Sequence, residues 1–285
     1  MTARDGVTPD RLVSTVEDRR PALLDAIRGA RIRLTLSLFR CNDEAILEEL
    51  AAAAARGVLV EVLVTSRAKG GRKRQHKLWQ ALERTGAALR LYADPVVKYH
   101  AKYLVADDGP AVVASLNFTR KCFRRTCDAL VVTHDPAVVS GLRRLWTADR
   151  DRQPMPDDLT ERLIVGPERA RRQLTALIAG ARKSLRIIDA KLSDPELVSV
   201  LNARRAEGLT VEICSGKRAG DLKSHGKLLL VDDATVVVGS LALAALSLDF
   251  RREVAIVVSE PSAVAEAAAL FRTVRATAAE RTTLA

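Results

Sequence analysis

The chain has 285 residues, 48% of them hydrophobic, and a formal net charge of +11. That composition excludes a disordered chain and favours anionic partners: nucleic acid, an acidic membrane surface or a phosphorylated substrate. No apolar run is long enough to span a bilayer, the first ten residues lack the apolar stretch of a secretory signal, and the four cysteines show neither C-x-x-C nor zinc spacing, so reduced thiols in a cytoplasmic protein are expected.

The elements follow in chain order. An amphipathic helix closes at Gly29, in Leu24-Asp-Ala-Ile-Arg-Gly-Ala-Arg31. Apolar runs then predict a strand over residues 32–39, a helix over 43–56 capped by Asn42 or Asp43 and ended by Gly57, and a strand over 58–64. A basic, glycine-containing loop covers 66–74, followed by a helix over about 75–85 and a strand over 88–92. Next come a hairpin over 102–106 and 111–116, turned at Asp107-Asp108-Gly109, a strand over 129–133 and a helix over about 137–149. Residues 150–161, with Pro154 and Pro156, read as a connector.

The same order then repeats. Thr175-Ala-Leu-Ile-Ala-Gly-Ala-Arg182 ends a helix at Gly180. A strand over 184–189, a helix over 195–207 capped by Ser193 or Asp194 with Pro195 in its first turn, and a strand over 209–214 follow. A hairpin over 227–231 and 235–239 turns at Asp232-Asp233, and a strand over 254–258 and a helix over about 262–278 close the repeat. The offset between halves is 151 through the second strand and 125 thereafter, so the first half carries 26 extra residues. Those residues are the basic loop, the helix and the strand over 66–92; the second half shortcuts them with 215–224.

Within the repeat sits a repeated motif. His100-Ala-Lys102 leads to Asp107, and His225-Gly-Lys227 leads to Asp232, both as H-x-K-x-x-x-x-D. A serine comes fifteen residues after each histidine (Ser115, Ser240) and an acid twenty-eight after (Asp128, Glu253). A histidine and a lysine two apart on a strand share a face, which sets a nucleophile or proton carrier beside a fixed positive charge. Two such pairs facing each other make a site for cutting a phosphodiester. Asp107 and Asp232 stand at predicted strand ends beside a second acid and read as turn-capping residues. His76 and His134 have no counterpart in the other half and read as incidental.

Strand–helix–strand units followed by hairpins predict an α/β fold of two pseudo-twofold-related sandwich halves, residues 1–150 and 151–285, with mixed sheets flanked by helices. Neither half holds both histidines, so one shared active site is expected.

These residues resemble the phospholipase D superfamily, over about residues 21–272. The G-S-x-N that follows the motif in that family stands here as Ala114-Ser115-Leu116-Asn117 and Gly239-Ser240-Leu241-Ala242, so the second half has alanine where asparagine is usual. The resemblance implies a fold with one site between two halves and a two-step reaction. One histidine attacks phosphorus to form a phosphohistidine; the other protonates the leaving oxygen, then activates the water or alcohol. Lys102 and Lys227, with Ser115, Asn117 and Ser240, are implied to hold the phosphate, with no metal and no cofactor. Asp128 and Glu253 are implied to fix the imidazole tautomers, with the assignment of acid to histidine left open. His100 is taken as the nucleophile, because its half has the fuller donor set and the N-terminal histidine usually takes that role in the family.

The implied substrate is a phosphodiester, either a phospholipid or a nucleic acid, with a lean to the phospholipid. Peripheral contact with an anionic membrane, no transmembrane segment and a monomer are expected. Arg67, Lys69, Arg72, Lys73 and Arg74 in the first half, and Lys217, Arg218 and Lys223 in the second, follow the second strands and are candidates for a basic rim, since loops at strand carboxyl ends line the crevice of open α/β sheets.

Overall fold

The computed structural model describes residues 9–66 and 72–283, with side chains from 9–66 and 75–275. Both halves are built from the same succession. The first half runs β1 (Arg11–Val13), α1 (Arg19–Gly29), β2 (Arg33–Leu38), α2 (Glu44–Ala55), β3 (Leu59–Thr65), α3 (Arg72–Glu83), β4 (Ala88–Tyr92), β5 (Lys98–Tyr99), β6 (Tyr103–Ala106), β7 (Ala111–Ala114), α4 (Arg120–Arg125), β8 (Thr126–Cys127), β9 (Leu130–Thr133) and α5 (Pro136–Asp151). The second runs β10 (Leu163–Gly166), α6 (Ala170–Ala179), β11 (Ser184–Asp189), α7 (Pro195–Ala206), β12 (Thr210–Cys214), β13 (Arg218–Ala219), β14 (Leu222–Ser224), β15 (Lys227–Val231), β16 (Thr235–Gly239), α8 (Ala245–Phe250), β17 (Arg251–Val258) and α9 (Pro261–Thr283).

The first sheet has the order β1-β9-β7-β6-β2-β3-β4, and the second β10-β17-β16-β15-β11-β12. Each is mixed: β2, β3 and β4 run parallel, as do β11 and β12, while the hairpin strands are antiparallel. The extra helix and strand of the first half are α3 and β4, which extend that sheet by one strand. The sequence missed the six-residue helices α4 and α8 and the two- and three-residue strands, which are too short to show a period. Residues 215–224 also fold into a small hairpin, β13 with β14.

The central strands read as unbroken apolar runs because both of their faces are buried. In β6, Tyr103 and Val105 face a core shared by the halves, while Leu104 and Ala106 face the helices of the first half. In β15, Leu228 and Leu230 face the shared core and Leu229 and Val231 face the second half's helices. The two sheets, with α5 and α9, thus enclose one core between them. Trp146 of α5 is fully buried there and donates its indole N–H to the carbonyl of Leu36 at 2.9 Å.

Short strands are exchanged across this interface, and the exchange positions the site. In β5, Lys98 and Tyr99 pair in parallel with Arg251 and Arg252 at the start of β17. In β14, Lys223 and Ser224 pair in parallel with Thr126 and Cys127 of β8. The two pairings occupy equivalent places in the repeat. The amide of His100 donates to the Arg252 carbonyl at 2.9 Å, and that of Gly226 to the Cys127 carbonyl at 2.6 Å. A Cβ on Gly226 would stand 2.5 Å from that carbonyl oxygen, so this approach requires glycine.

Candidate active site

The strand exchange sets each motif histidine against the acid of the other half. Nδ1 of His100 lies 2.9 Å from Oε1 of Glu253. Nδ1 of His225 lies 3.0 Å from Oδ1 and 3.1 Å from Oδ2 of Asp128. The order of acids along the chain concealed this crossing: each acid follows its own half's histidine but serves the other. In both rings the acid stands on the Nδ1 side, and Nε2 of His100 has Lys102 Nζ at 3.3 Å.

The lysines lie beside their histidines. Lys102 Nζ donates to the His100 carbonyl at 2.6 Å and stands 3.1 and 3.3 Å from the two ring nitrogens. Lys227 Nζ donates to the His225 carbonyl at 2.5 Å. Phe39, at the end of β2, packs its ring 4.5 Å from that of His100 and lies under Lys102 Nζ at 5.4 Å. Sequence reasoning missed Phe39, and also Lys191 and Arg251, which add positive charge around the pair. Arg251 Nη1 is 3.6 Å from Glu253 Oε1. Lys191 holds the place in the repeat that Arg40 holds in the first half, which is a signal the offset of 151 carried.

Burial, followed by Lys102, Lys227 and Arg251, holds the His100 imidazole well below its ordinary titration range, so it is neutral at neutral pH. Burial also lowers the Lys102 ammonium well below its usual value, and lowers Lys191 with help from Lys227 and Arg251. The acids diverge. Burial raises the Glu253 carboxyl, against the pull of Lys102 and Lys227. Burial pushes Asp128 up too, but His225, Lys227 and Thr126 outweigh it and leave the carboxyl below the usual range.

Ser115 and Ser240 are fully buried. Ser115 Oγ donates to Asp128 Oδ1 at 2.7 Å and accepts from the Ala129 amide at 3.0 Å. Ser240 Oγ contacts the Val254 amide at 3.1 Å and carbonyl at 3.3 Å. Both hydroxyls brace the acid-bearing segments, fully buried beside β9 and β17. Asn117 is buried with its Oδ1 lacking a hydrogen-bond partner. Asp107 and Asp232 are turn caps at the far ends of β6 and β15. Asp107 accepts from the amides of Arg31, Ile32 and Arg33 at 2.7, 2.8 and 2.7 Å. Asp232 accepts from those of Arg182, Lys183 and Ser184 at 2.9, 2.7 and 2.9 Å. His76 sits on α3, with its ring 3.0 Å from Gln80.

Of the basic rim, Lys217, Arg218 and Lys223 are exposed. Arg67 and Lys69, and the side chains of Arg72, Lys73 and Arg74, lie outside the described residues. Cys122, Asp128 and His225 are a trio with metal-ligand chemistry. Among the described residues, no helix is long and apolar enough to cross a membrane.

The family model described as "cardiolipin synthase, PLD-like domain" matches residues 23–149, which contain the first motif. That stretch therefore matches a phospholipase D-like domain. Members of the phospholipase D superfamily are phosphodiesterases or transferases. Among solved structures, polyphosphate kinase from Porphyromonas gingivalis superposes with a TM-score of 0.74 at 20% identity, covering 92% of this chain and 46% of that one. The chain therefore spans about half the length of that kinase. Phosphatidylserine synthase of Haemophilus influenzae superposes with a TM-score of 0.67 at 13% identity, covering 94% of this chain and 85% of that one. Nuc from Salmonella typhimurium, a phospholipase D family member, gives 0.46 at 23% identity, over 52% of this chain and 96% of that one. No curated protein matches the sequence significantly.

Proposed function

We propose that the chain is a metal-independent phosphodiesterase of the phospholipase D type, which hydrolyses or transfers phosphatidyl groups through a covalent phosphohistidine on His100. The observation that carries this reading is the pair of crossed histidine–acid contacts, each with a lysine beside it. His100 is the nucleophile: its imidazole is held neutral, its Nδ1 faces Glu253, and its Nε2 lone pair attacks phosphorus. His225 donates its Nε2 proton to the leaving alkoxide. It then takes a proton from the water or alcohol that attacks the phosphohistidine and restores His100. The ionised Asp128 stabilises the imidazolium of His225. Lys102 and Lys227 hold the non-bridging oxygens, and the incoming phosphate supplies the negative charge that their buried position lacks. Residues 1–150 and 151–285 act as one catalytic unit, cytoplasmic and monomeric in this reading.

The lip formed by α8 supports the lipid substrate. Leu246 and Phe250 are 62% and 48% exposed, four residues apart and so on one helix face. Phe250 precedes Arg251, whose strand partner is Lys98, and Val96 nearby is 63% exposed. Apolar and cationic side chains together suit an anionic lipid surface. The equivalent lip, α4, favours the second reading, a nuclease: Arg120, Lys121, Arg124 and Arg125 are all exposed there.

One experiment separates the readings. The purified chain, with chelator present, is incubated with labelled phosphatidylcholine, phosphatidylglycerol, single- and double-stranded DNA and inorganic polyphosphate. Headgroup release or exchange is expected with the lipids. Cleavage of DNA alone would replace the lipid reading with the nuclease. Activity that required an added divalent ion would sink both.

A further inference from the structure

Cys122, Asp128 and His225 each offer one ligand atom, and these atoms lie within 4.8 Å of one another. They come from three segments and both halves: Cys122 from α4, Asp128 from the bend between β8 and β9, His225 from the residue after β14. No spacing along the chain announces such a trio. Cys122 and Asp128 are buried while His225 is half-buried, so the trio opens onto the mouth of the site.

We propose that this trio binds a borderline-soft divalent cation, zinc foremost, and that its occupation switches the second histidine off. The donors are a thiol sulfur, a carboxylate oxygen and an imidazole nitrogen, the set that zinc takes with an open fourth position. Nδ1 and Oδ1 stand 3.0 Å apart. Two ligands each about 2.0 Å from a tetrahedral ion stand ~3.3 Å apart, so the pair needs little movement. The sulfur closes in by at most about 1 Å, within reach of a side-chain torsion. A second layer of contacts is already in place: Ser115 Oγ donates to one oxygen of Asp128 at 2.7 Å and Thr126 Oγ1 to the other at 2.5 Å. Such contacts orient ligands around metals. Thiolate and carboxylate together match the two charges of the ion.

Binding forms bonds from the metal to sulfur, oxygen and Nδ1. It breaks the Cys122 S–H bond and sends that proton to solvent. The Nδ1 proton of a neutral His225 moves to Nε2. An imidazole that is metal-bound at Nδ1 and protonated at Nε2 has no lone pair left to accept a proton from water or alcohol.

The repeat supplies its own control. The residue equivalent to Cys122 is Ser247, next to the other pair, where its hydroxyl accepts from the Ala242 amide at 2.9 Å. A hydroxyl is a poor zinc ligand, so one pair carries the soft donor and the other does not. Cys122→Ser therefore gives the first half what the second already tolerates.

The binding half of the proposal stands on geometry alone; the switch rests on His225 acting as in the proposed reaction. The metal-stripped chain is titrated with cobalt(II) and with zinc(II). One cobalt should bind with a thiolate-to-metal charge-transfer band. In Cys122→Ser the band should vanish and zinc affinity fall at least tenfold, while Cys214→Ser matches the unaltered chain. Zinc should inhibit the unaltered chain, and Cys122→Ser should keep its metal-free rate with at least tenfold less sensitivity. An unaltered chain without the band, or a Cys122→Ser chain that retains it, overturns the site. Binding without inhibition overturns the switch. Should Cys122→Ser fail to fold, X-ray absorption of the zinc-loaded unaltered chain decides: one sulfur in the shell is expected, and none refutes the site. A chain that binds cobalt as described but cleaves no phosphodiester refutes the proposed reaction and leaves the metal site standing.

Discussion

The two histidine–acid pairs share a backbone plan and differ in their surroundings. Both acids sit at equivalent places, and both reach across to a histidine, at 2.9 Å for Glu253 and 3.0 Å for Asp128. Asp128 is braced by Ser115 and Thr126 and is held below the usual carboxyl range. Glu253 faces Arg251 at 3.6 Å and is held above it by burial. The side chain of His100 is 12% exposed, packed against Phe39 and Lys102, while that of His225 is 30% exposed. A repeated fold thus supplies two similar groups with different burial and neighbouring donors, a difference that in the proposed reaction suits one for attack and the other for proton transfer.

The largest test of this contrast removes the histidines. His100→Ala and His225→Ala should each cost about 10⁴-fold or more in turnover, and the double variant should be little worse than either, because groups in one catalytic unit are not additive. Acid-labile phosphate should be trapped on His100 in His225→Ala. Finding it on His225 in His100→Ala would reverse the roles.

The acids give a finer cut. Asp128→Asn and Glu253→Gln should each slow turnover by about a hundredfold or more. Because the contacts are crossed, Asp128→Asn, acting through His225, should slow both formation and breakdown of the phosphoenzyme, whereas Glu253→Gln, acting through His100, should slow chiefly its formation. Rapid-quench measurements read both steps. The opposite pattern would mean that each acid serves its own half's histidine.

Next to Glu253, Arg252 is buried and anchored to Asp149 at 2.8 Å and to Glu168, whereas its counterpart in the first half is Cys127. Burial, opposed by Arg252, pushes the Asp149 carboxyl up to about 7. A carboxyl raised in the folded state binds its proton more tightly there than when unfolded, so its contribution to stability is lost as pH rises from about 4 to about 7. Denaturant melts of Asp149→Asn should lack this decline, which amounts to roughly a few kcal/mol. An unchanged pH slope would refute the linkage.

The depressed His100 gives a milder effect. Its neutral form is the reactive one, so the acid limb of kcat/KM should fall below the ordinary histidine value of about 6.5. A limb at or above that value would remove the electrostatic reason for choosing His100. Smallest are the turn caps: Asp107→Ala and Asp232→Ala should each cost about 1–2 kcal/mol in denaturant melts and leave turnover nearly unchanged. A lost turnover in a folded variant would move these residues into the site.

Much of this was legible in the sequence, and for physical reasons. The motif residues, the eighteen predicted elements and the turn-capping place of Asp107 and Asp232 follow from period-two alternation, glycine stops and the two offsets. The crossed contacts do not. They depend on β5 with β17 and on β14 with β8, pairings of two residues each, and no periodicity exists over two residues. The resemblance implies a phosphate role for Ser115 and Ser240; their hydroxyl contacts with Asp128 and with the backbone of Ala129 and Val254 depend on tertiary placement beside β9 and β17. Phe39 and Lys191 belong to strand ends whose nearness to the histidines is a tertiary fact.

The strand exchange also bears on how such a chain can change over generations. His225 and Asp128 are 97 positions apart, yet they are in contact at 3.0 Å. A recombination event that swapped either half for a diverged copy would replace one member of both pairs at once. Innovation is therefore steered to parts outside the exchange, such as the extra α3 and β4 of the first half and the contrasting six-residue helices α4 and α8.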